Sequence, residues 1–152
     1  MLKCDKDSLN IIFQKLDLIS QLRLRATCKN VREKLEITDL YNIKHNLRIK
    51  LTDKIVLQYP KLKLLYAWNN PKITDISVKE LKQLQSLYAS NNPSITDISV
   101  KELKQLHTLN ASYNEMITDI SVKELKQLHT LNAYNNPYIT KEGTNHIKTV
   151  NL

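Results

Sequence analysis

The residues with the clearest chemical potential recur at a fixed spacing. His107 and His129 lie 22 residues apart, and so do Asp75, Asp97 and Asp119. Imidazole and carboxylate groups brought side by side could bind a cation or act as acid and base. The two histidines have no Cys, Asp or Glu joining them, and no nucleophile stands beside a base in the sequence. We therefore predict no catalytic residue, no metal site and no cofactor, and we expect the aspartates to cap helices.

Composition excludes several further classes of protein. The 152 residues include one glycine, Gly143, whereas phosphate-cradling loops need several glycines so that the backbone can approach phosphate oxygens. Cys4 and Cys28 lack zinc-site spacing and are too few for a disulfide framework, which predicts reduced thiols. No apolar run approaches the roughly 20 residues that cross a bilayer. We expect no membrane association, and a cytoplasmic location with the nucleus as the second compartment.

The chain is basic, with 23 Lys and Arg against 15 Asp and Glu. A net charge of +8 suggests an anionic partner such as nucleic acid. Residues 1–50 carry 11 basic and 6 acidic side chains, and residues 51–152 carry 12 and 9. The face predicted below to bind a partner carries no charge. The sequence therefore does not favour nucleic acid as a partner.

An internal repeat dominates the second part of the chain. The string ITDISVKELKQL occurs three times unchanged, starting at Ile73, Ile95 and Ile117, so the period is 22 residues. This register predicts four full repeats, preceded by a degenerate repeat at 37–50 and followed by a truncated one at 139–152. The full repeats span residues 51–72, 73–94, 95–116 and 117–138. The truncated repeat lacks about three residues of the segment before its last strand, which we expect near Ile147 to Leu152.

Each full repeat contains an LxxLxA stretch followed by Asn, which predicts a strand and then a turn. In the first full repeat this stretch comprises Leu62, Leu65 and Ala67, and the turn begins at Asn70 and Pro71. The pattern resembles the leucine-rich repeat family, and its length is similar to the short, internalin-like class. The resemblance implies an α/β solenoid, a horseshoe with parallel strands on its concave face.

The segment that returns to the next strand carries a second pattern. Ser77 precedes Glu80 by three residues, and the spacing recurs in the next two repeats. This S-x-x-E pattern is typical of a capping box and predicts a short helical turn over VKELKQ on the convex face. Columns of Lys and Glu on that turn are compatible with an anionic partner. We favour a solvated surface instead.

The first forty residues have helical rather than repeat spacing. Apolar side chains recur every three or four residues, which predicts two or three short amphipathic helices. The runs IIFQKL and DLISQLRLRATCK resemble the F-box, a motif that docks on the Skp-type adaptor of cullin-RING ubiquitin ligases. The resemblance covers roughly residues 4–35, and we assign residues 1–36 to this motif. It implies an adaptor-binding role for Leu9, Ile12, Phe13, Leu16, Leu18, Leu22 and Cys28.

The order of the two parts, with residues 37–152 forming the repeat array, resembles the substrate-recruiting subunits of SCF-type ligases. The resemblance implies a non-enzymatic adaptor in the ubiquitin-like conjugation pathway, with a Skp-type adaptor and an unknown protein substrate as partners. The alternative is a stand-alone repeat module for binding or scaffolding, in which the helices only cap the array.

Strand alternation predicts which side chains face a partner. The third, fifth, seventh and eighth positions of each LxxLxAxxN stretch point to the concave side, and all are uncharged. Aromatic rings among Asn, Ser and Thr are typical of protein-binding surfaces, although these types also simply suit strands. Six strands would give a groove of roughly 24 Å. The predicted target-binding residues are Tyr66, Trp68, Tyr88, Ser90, Asn110, Tyr113, Asn132 and Tyr134.

Overall fold

The computed structural model describes residues 51–152, which form five stacked helix–turn–strand units. The five helices are single turns: α1 Asp53–Val56, α2 Asp75–Val78, α3 Asp97–Val100, α4 Asp119–Val122 and α5 Lys141–Thr144. The strands are β1 Leu64–Tyr66, β2 Ser86–Tyr88, β3 Thr108–Asn110, β4 Thr130–Asn132 and β5 Thr149–Asn151.

The strands form one parallel sheet in the order β1-β2-β3-β4-β5. Leu65 pairs with Leu87 and Leu87 with Leu109, so the register advances by one full repeat at each step. Between the last two strands Leu131 pairs with Val150, which is an offset of 19 residues. The truncated repeat is therefore shorter by three residues, and the predicted strand near the end of the chain is confirmed.

The core is a column of equivalent apolar side chains that runs through the stack. The central residue of each strand faces inward because side chains alternate along a strand. Leu65 and Leu87 are fully buried, together with Ala67 and Ala89 two positions further on. The helices contribute Val78 and its equivalents to the same column. Each repeat thus buries its apolar face against its neighbours rather than within itself.

The helices begin earlier than the capping-box pattern predicts. In α2 the N-cap is Thr74, whose Oγ1 accepts a hydrogen bond from the Ile76 backbone N–H at 3.1 Å. Ser77 lies inside the helix and is buried, so the prediction that it caps a helix over VKELKQ is wrong. Thr fixes the first turn because the hydroxyl of a residue with extended backbone can accept a hydrogen bond from the N–H two residues further on.

Gly143 occupies a crowded position in α5. A Cβ there would lie 1.8 Å from Oδ1 of Asp119. That carboxylate already accepts hydrogen bonds from the N–H and the hydroxyl of Thr140, at 2.9 and 2.7 Å. The chain's glycine is therefore needed for a close approach between two repeats.

The predictions for the first fifty residues lie outside the described part of the chain. They comprise the F-box-like helices with Leu9, Ile12, Phe13, Leu16, Leu18, Leu22 and Cys28, the boundary at residue 36, and the degenerate repeat at 37–50 with its sixth strand. Within residues 51–152, no helix has the length and apolar character required to span a membrane.

Candidate protein-binding face

The eight predicted target-binding residues all retain solvent exposure. In the strands, Tyr66, Tyr88, Asn110 and Asn132 are half-buried on the face opposite the core. Four others follow the strands, with Ser90 half-buried and the aromatic side chains of Trp68, Tyr113 and Tyr134 exposed by 36%, 54% and 49%.

Two tyrosines form the first aromatic group of this face. The rings of Tyr66 and Tyr88 stack with centroids 4.4 Å apart and planes inclined by 13°. Parallel strands in register place equivalent side chains side by side, so the stack follows directly from the repeat. Trp68 lies two residues beyond Tyr66 in the same repeat. This end of the sheet offers a flat apolar surface.

Amides replace the aromatic rings in the following repeats. The Oδ1 atom of Asn132 accepts hydrogen bonds from the Tyr134 N–H and from Nδ2 of Asn151, both at 3.1 Å. Asn110 accepts from both the N–H and the hydroxyl of Ser112. These contacts orient each amide and leave its outward side able to bond a partner.

One predicted outward position is not available to a partner. Ser112 is buried, whereas its equivalent Ser90 is half-buried. The Ser112 hydroxyl donates to Asn110 Oδ1 at 2.8 Å, which turns the side chain back onto its own strand. The expectation that the seventh position of each LxxLxAxxN stretch faces solvent is therefore wrong in this repeat.

The eighth position of the LxxLxAxxN stretch adopts left-handed backbone in every full repeat. Asn69, Asn91 and Asn135 have φ of 52°, 49° and 54°, and Tyr113 has φ of 55°. Asn tolerates this region well because its short polar side chain can bond locally, but a tyrosine there is strained. The third repeat thus holds an aromatic ring at the turn at some cost in stability.

Tyr113 and Tyr134 form a second aromatic group. Their ring centroids are 5.7 Å apart and the planes are inclined by 75°, an edge-to-face contact. Both residues are among the predicted target-binding residues, and they lie apart from the group of Tyr66, Trp68 and Tyr88. The structure shows a separate aromatic group in the last two full repeats.

Buried asparagines hold the turns that carry both groups. Nδ2 of Asn92 donates to the carbonyls of Ala67, Asn70 and Ile73 in the preceding repeat, at 2.9, 2.8 and 3.2 Å. Its Oδ1 accepts from the Ser94 N–H at 3.1 Å. Asn114 and Asn136 make the equivalent bonds. The predicted turn role of Asn is confirmed, and it extends to tying each repeat to the one before.

The aspartates connect repeats instead of capping their own helices. Asp75 accepts from the N–H and the hydroxyl of Thr96 at 2.9 and 2.6 Å, and Asp97 accepts in the same way from Thr118. The expectation that these carboxylates act as caps is therefore wrong. They are already engaged by donors, which argues against a cation column.

Asp53 has an additional donor, the hydroxyl of Ser77. Partial burial alone would raise the pKa of Asp53, but hydrogen bonds from Ser77 and Thr74 outweigh it and hold the pKa below its ordinary value of 3.8. The contact between the first two described repeats therefore favours the ionised form of Asp53 in the folded chain.

Charges on the convex face pair with one another. Lys82 Nζ lies 3.1 Å from Glu102, and Lys104 lies 3.1 Å from Glu124 in the next repeat. The hydrogen bond and charge of Lys82 lower the pKa of Glu102. These exposed pairs contribute little to stability. They nevertheless neutralise part of the basic column, as a solvated convex face requires.

The two histidines are neighbours, as the period predicts. The ring centroids of His107 and His129 are 5.5 Å apart. Across residues 51–152, no three His, Cys, Asp or Glu side chains come together in a group able to hold a metal ion.

Sequence reasoning missed a set of exposed apolar residues beside the turns. Ile76, Ile98 and Ile120 are each more than three-fifths exposed, and Met116 and Tyr138 are about half exposed. The sequence did contain a signal for the exposed isoleucines. The second Ile of each ITDIS string comes after the helix N-cap and has no equivalent in the core column.

Two family models match the chain. The F-box domain matches residues 2–42, and the leucine-rich repeats (2 copies) family matches residues 60–104. The search of curated proteins found no significant match.

Solved structures share the fold of the array. An internalin (inlF) from Listeria monocytogenes is 31% identical with a TM-score of 0.53, and the match covers 66% of this chain and 31% of that one. The yeast Rad7 and Elc1 complex matches at 13% identity and a TM-score of 0.52, over 72% of this chain and 30% of that one, and so shows the fold alone. The chain spans about a third of the length of each.

Proposed function

The chain carries an F-box followed by a leucine-rich repeat solenoid, and from this premise we propose that it is a substrate-recruiting adaptor of an SCF-type cullin-RING ubiquitin ligase. F-box domains bind Skp1-type adaptors, and both modules typically mediate interactions without catalysis. The F-box engages the Skp-type adaptor, and the repeat array holds a protein target in the cytoplasm or nucleus.

The observation that carries this proposal is the pairing of an F-box with an uncharged, partly aromatic sheet face. The outward side chains of the described strands include the stacked pair of Tyr66 and Tyr88 and the amides of Asn110 and Asn132. Aromatic rings supply contact area at low entropic cost, and amides match a partner's hydrogen bonds. Such a face suits a protein target better than a charged polymer.

The test is binding of the full chain to a purified Skp-type adaptor, measured by calorimetry. We expect binding that the charge of Leu16→Asp weakens at least tenfold, because the F-box resemblance places Leu16 among the adaptor-binding residues. The matched control is the double variant Tyr66→Ala with Tyr88→Ala, which alters the sheet face and should bind the adaptor normally. Absence of binding by the unaltered chain would contradict the proposal.

The similarity of the array to an internalin supports a second candidate, a stand-alone repeat module whose N-terminal helices are only a cap. The same experiment separates the two. A stand-alone module binds no Skp-type adaptor, and its folding should suffer from Leu16→Asp, which circular dichroism of the array would register.

A further inference from the structure

The exposed apolar side chains of the described repeats concentrate along one edge of the solenoid, beside the turns that follow the strands. Ile98, Met116, Ile120 and Tyr138 are exposed by 63%, 48%, 69% and 54%. With Tyr113, Glu115 and Tyr134 they define a surface that we call the edge patch. Exposed apolar side chains that lie together mark interaction sites more often than single ones do.

Backbone contacts show that the members of the edge patch are neighbours. The Asp97 N–H donates to the carbonyl of Met116 at 3.1 Å, which sets Met116 beside the residue that precedes Ile98. The Asp119 N–H donates in the same way to the carbonyl of Tyr138, next to Ile120. The edge-to-face contact of Tyr113 and Tyr134 continues the surface toward the sheet.

The third full repeat departs from the array at this place. Residues 91–94 read NNPS, while the equivalent residues 113–116 read YNEM. The departures put an aromatic ring at the left-handed position, an acid in place of proline and an apolar chain in place of serine. The stretches on either side of this turn, 95–111 and 117–133, are identical at all 17 positions. The changes thus add apolar surface and one charge to a strained turn.

The charge of the edge patch points to its partner. Glu115 is exposed, and it is the sole charged residue within segments 113–116 and 134–138. The structure gives its carboxylate no ion pair or hydrogen bond with any residue in 51–152. Tyrosine faces attract cations, and an unpaired carboxylate nearby reinforces that attraction. The array as a whole is basic, so this acid is a local reversal of charge.

We propose that the edge patch binds a target segment that presents a Lys or Arg side chain between apolar residues. The basic group lies over the Tyr113 and Tyr134 rings and pairs with Glu115, and the apolar residues cover Met116 and Ile120. The inference rests on the proposed function in that the segment belongs to the recruited target. The contact itself does not require the adaptor.

The test uses the full chain and a labelled nine-residue peptide of alternating Leu and Lys, followed by fluorescence anisotropy. Its matched control is the peptide in which Glu replaces Lys. The protein variant combines Tyr113→Asn, Glu115→Pro and Met116→Ser, which gives the third turn the residues of the second. These residues already fold in the array, so the variant should remain folded. We expect at least tenfold weaker binding of the basic peptide by the variant.

A second variant isolates the charge. Glu115→Gln should weaken binding of the basic peptide severalfold and reduce its dependence on salt. The variant Leu57→Ser removes an exposed apolar side chain that lies outside both the edge patch and the sheet face, and it should bind the peptide normally. Equal binding of the acidic peptide, or unchanged binding by the triple variant, would overturn the inference. Failure of adaptor binding would overturn the proposed function and leave this result intact.

Discussion

The eighth position of each LxxLxAxxN stretch shows how a single residue trades stability for surface. Asn69, Asn91 and Asn135 adopt positive φ at little cost, because Asn visits the left-handed region readily. Tyr113 adopts the same backbone conformation without that advantage. Its ring is more than half exposed, so burial of the ring offsets little of the conformational strain. A strained, exposed aromatic residue is better explained by binding than by folding.

This residue gives a direct stability prediction. Tyr113→Asn should raise the free energy of unfolding by about 1 kcal/mol, since it relieves the left-handed strain. Urea denaturation followed by circular dichroism measures the change. The reverse substitution in the next repeat, Asn135→Tyr, should lower stability by a similar amount. A Tyr113→Asn variant no more stable than the unaltered chain would contradict the assignment of strain.

At the scale of elements, side-chain ladders hold the stack together between units that are too short to be stable alone. A four-residue helix and a three-residue strand satisfy few of their own backbone groups. The buried asparagines and the bridging aspartates supply partners from the neighbouring repeat. Each turn is therefore stable only in the context of its neighbour.

Removal of one asparagine tests this dependence. Nδ2 of Asn114 donates to the carbonyls of Ala89, Asn92 and Ile95 at 3.1, 2.8 and 3.2 Å. Asn114→Ala leaves these buried carbonyls without that donor and should lower the free energy of unfolding by about 2–4 kcal/mol. The exposed Asn145→Ala serves as control and should change stability by less than about 0.5 kcal/mol. Equal effects of the two substitutions in thermal unfolding would refute the role of the ladder.

At the scale of the whole molecule, the repeat determines where charge and apolar surface lie. The sheet face is uncharged, the convex face pairs Lys with Glu across repeats, and the edge patch collects the exposed apolar groups. The Asp53 carboxylate makes the stack sensitive to acid, because hydrogen bonds from Ser77 and Thr74 outweigh its partial burial and favour the ionised form in the folded chain.

The acid sensitivity has a definite sign. The folded pKa of Asp53 lies below its ordinary value of 3.8, so the unfolded chain binds the proton more tightly. Its contribution to stability is complete above the unfolded value and is lost as the pH falls through the folded one. Urea denaturation between pH 6 and pH 3 should show stability falling toward acid, and Asp53→Asn should reduce the fall. Parallel curves for the two proteins would contradict this assignment.

Much of the fold could be predicted from the sequence because an unchanged string repeated at 22 residues leaves one register for the strands. The alternation of side chains along a strand predicted which residues of the sheet face outward. The helix start could not be placed correctly, because Thr74 and Ser77 both precede plausible first turns and only the packed structure shows which hydroxyl is buried.

The edge patch could not be predicted for a related reason. Ile98 and Met116 lie 18 residues apart, near opposite ends of repeat 95–116. The bond between the Asp97 N–H and the Met116 carbonyl that brings them together depends on how the return segment is folded. The burial of Ser112 likewise depends on a local bond to Asn110 that strand alternation does not contain.

The identity of the repeats has a consequence for folding. Strands β3 and β4 carry the same residues, TLN, and the connecting groups are the same on both sides of residues 95–116. Repeat 73–94 can therefore dock on repeat 117–138 with the intervening unit looped out, Asp75 meeting Thr118 as it otherwise meets Thr96. The entropic cost of closing such a loop grows only slowly with its length, by about 0.6 kcal/mol for each doubling. Docking out of register would thus keep native-like contacts, and a gain or loss of a whole repeat would require no new interface.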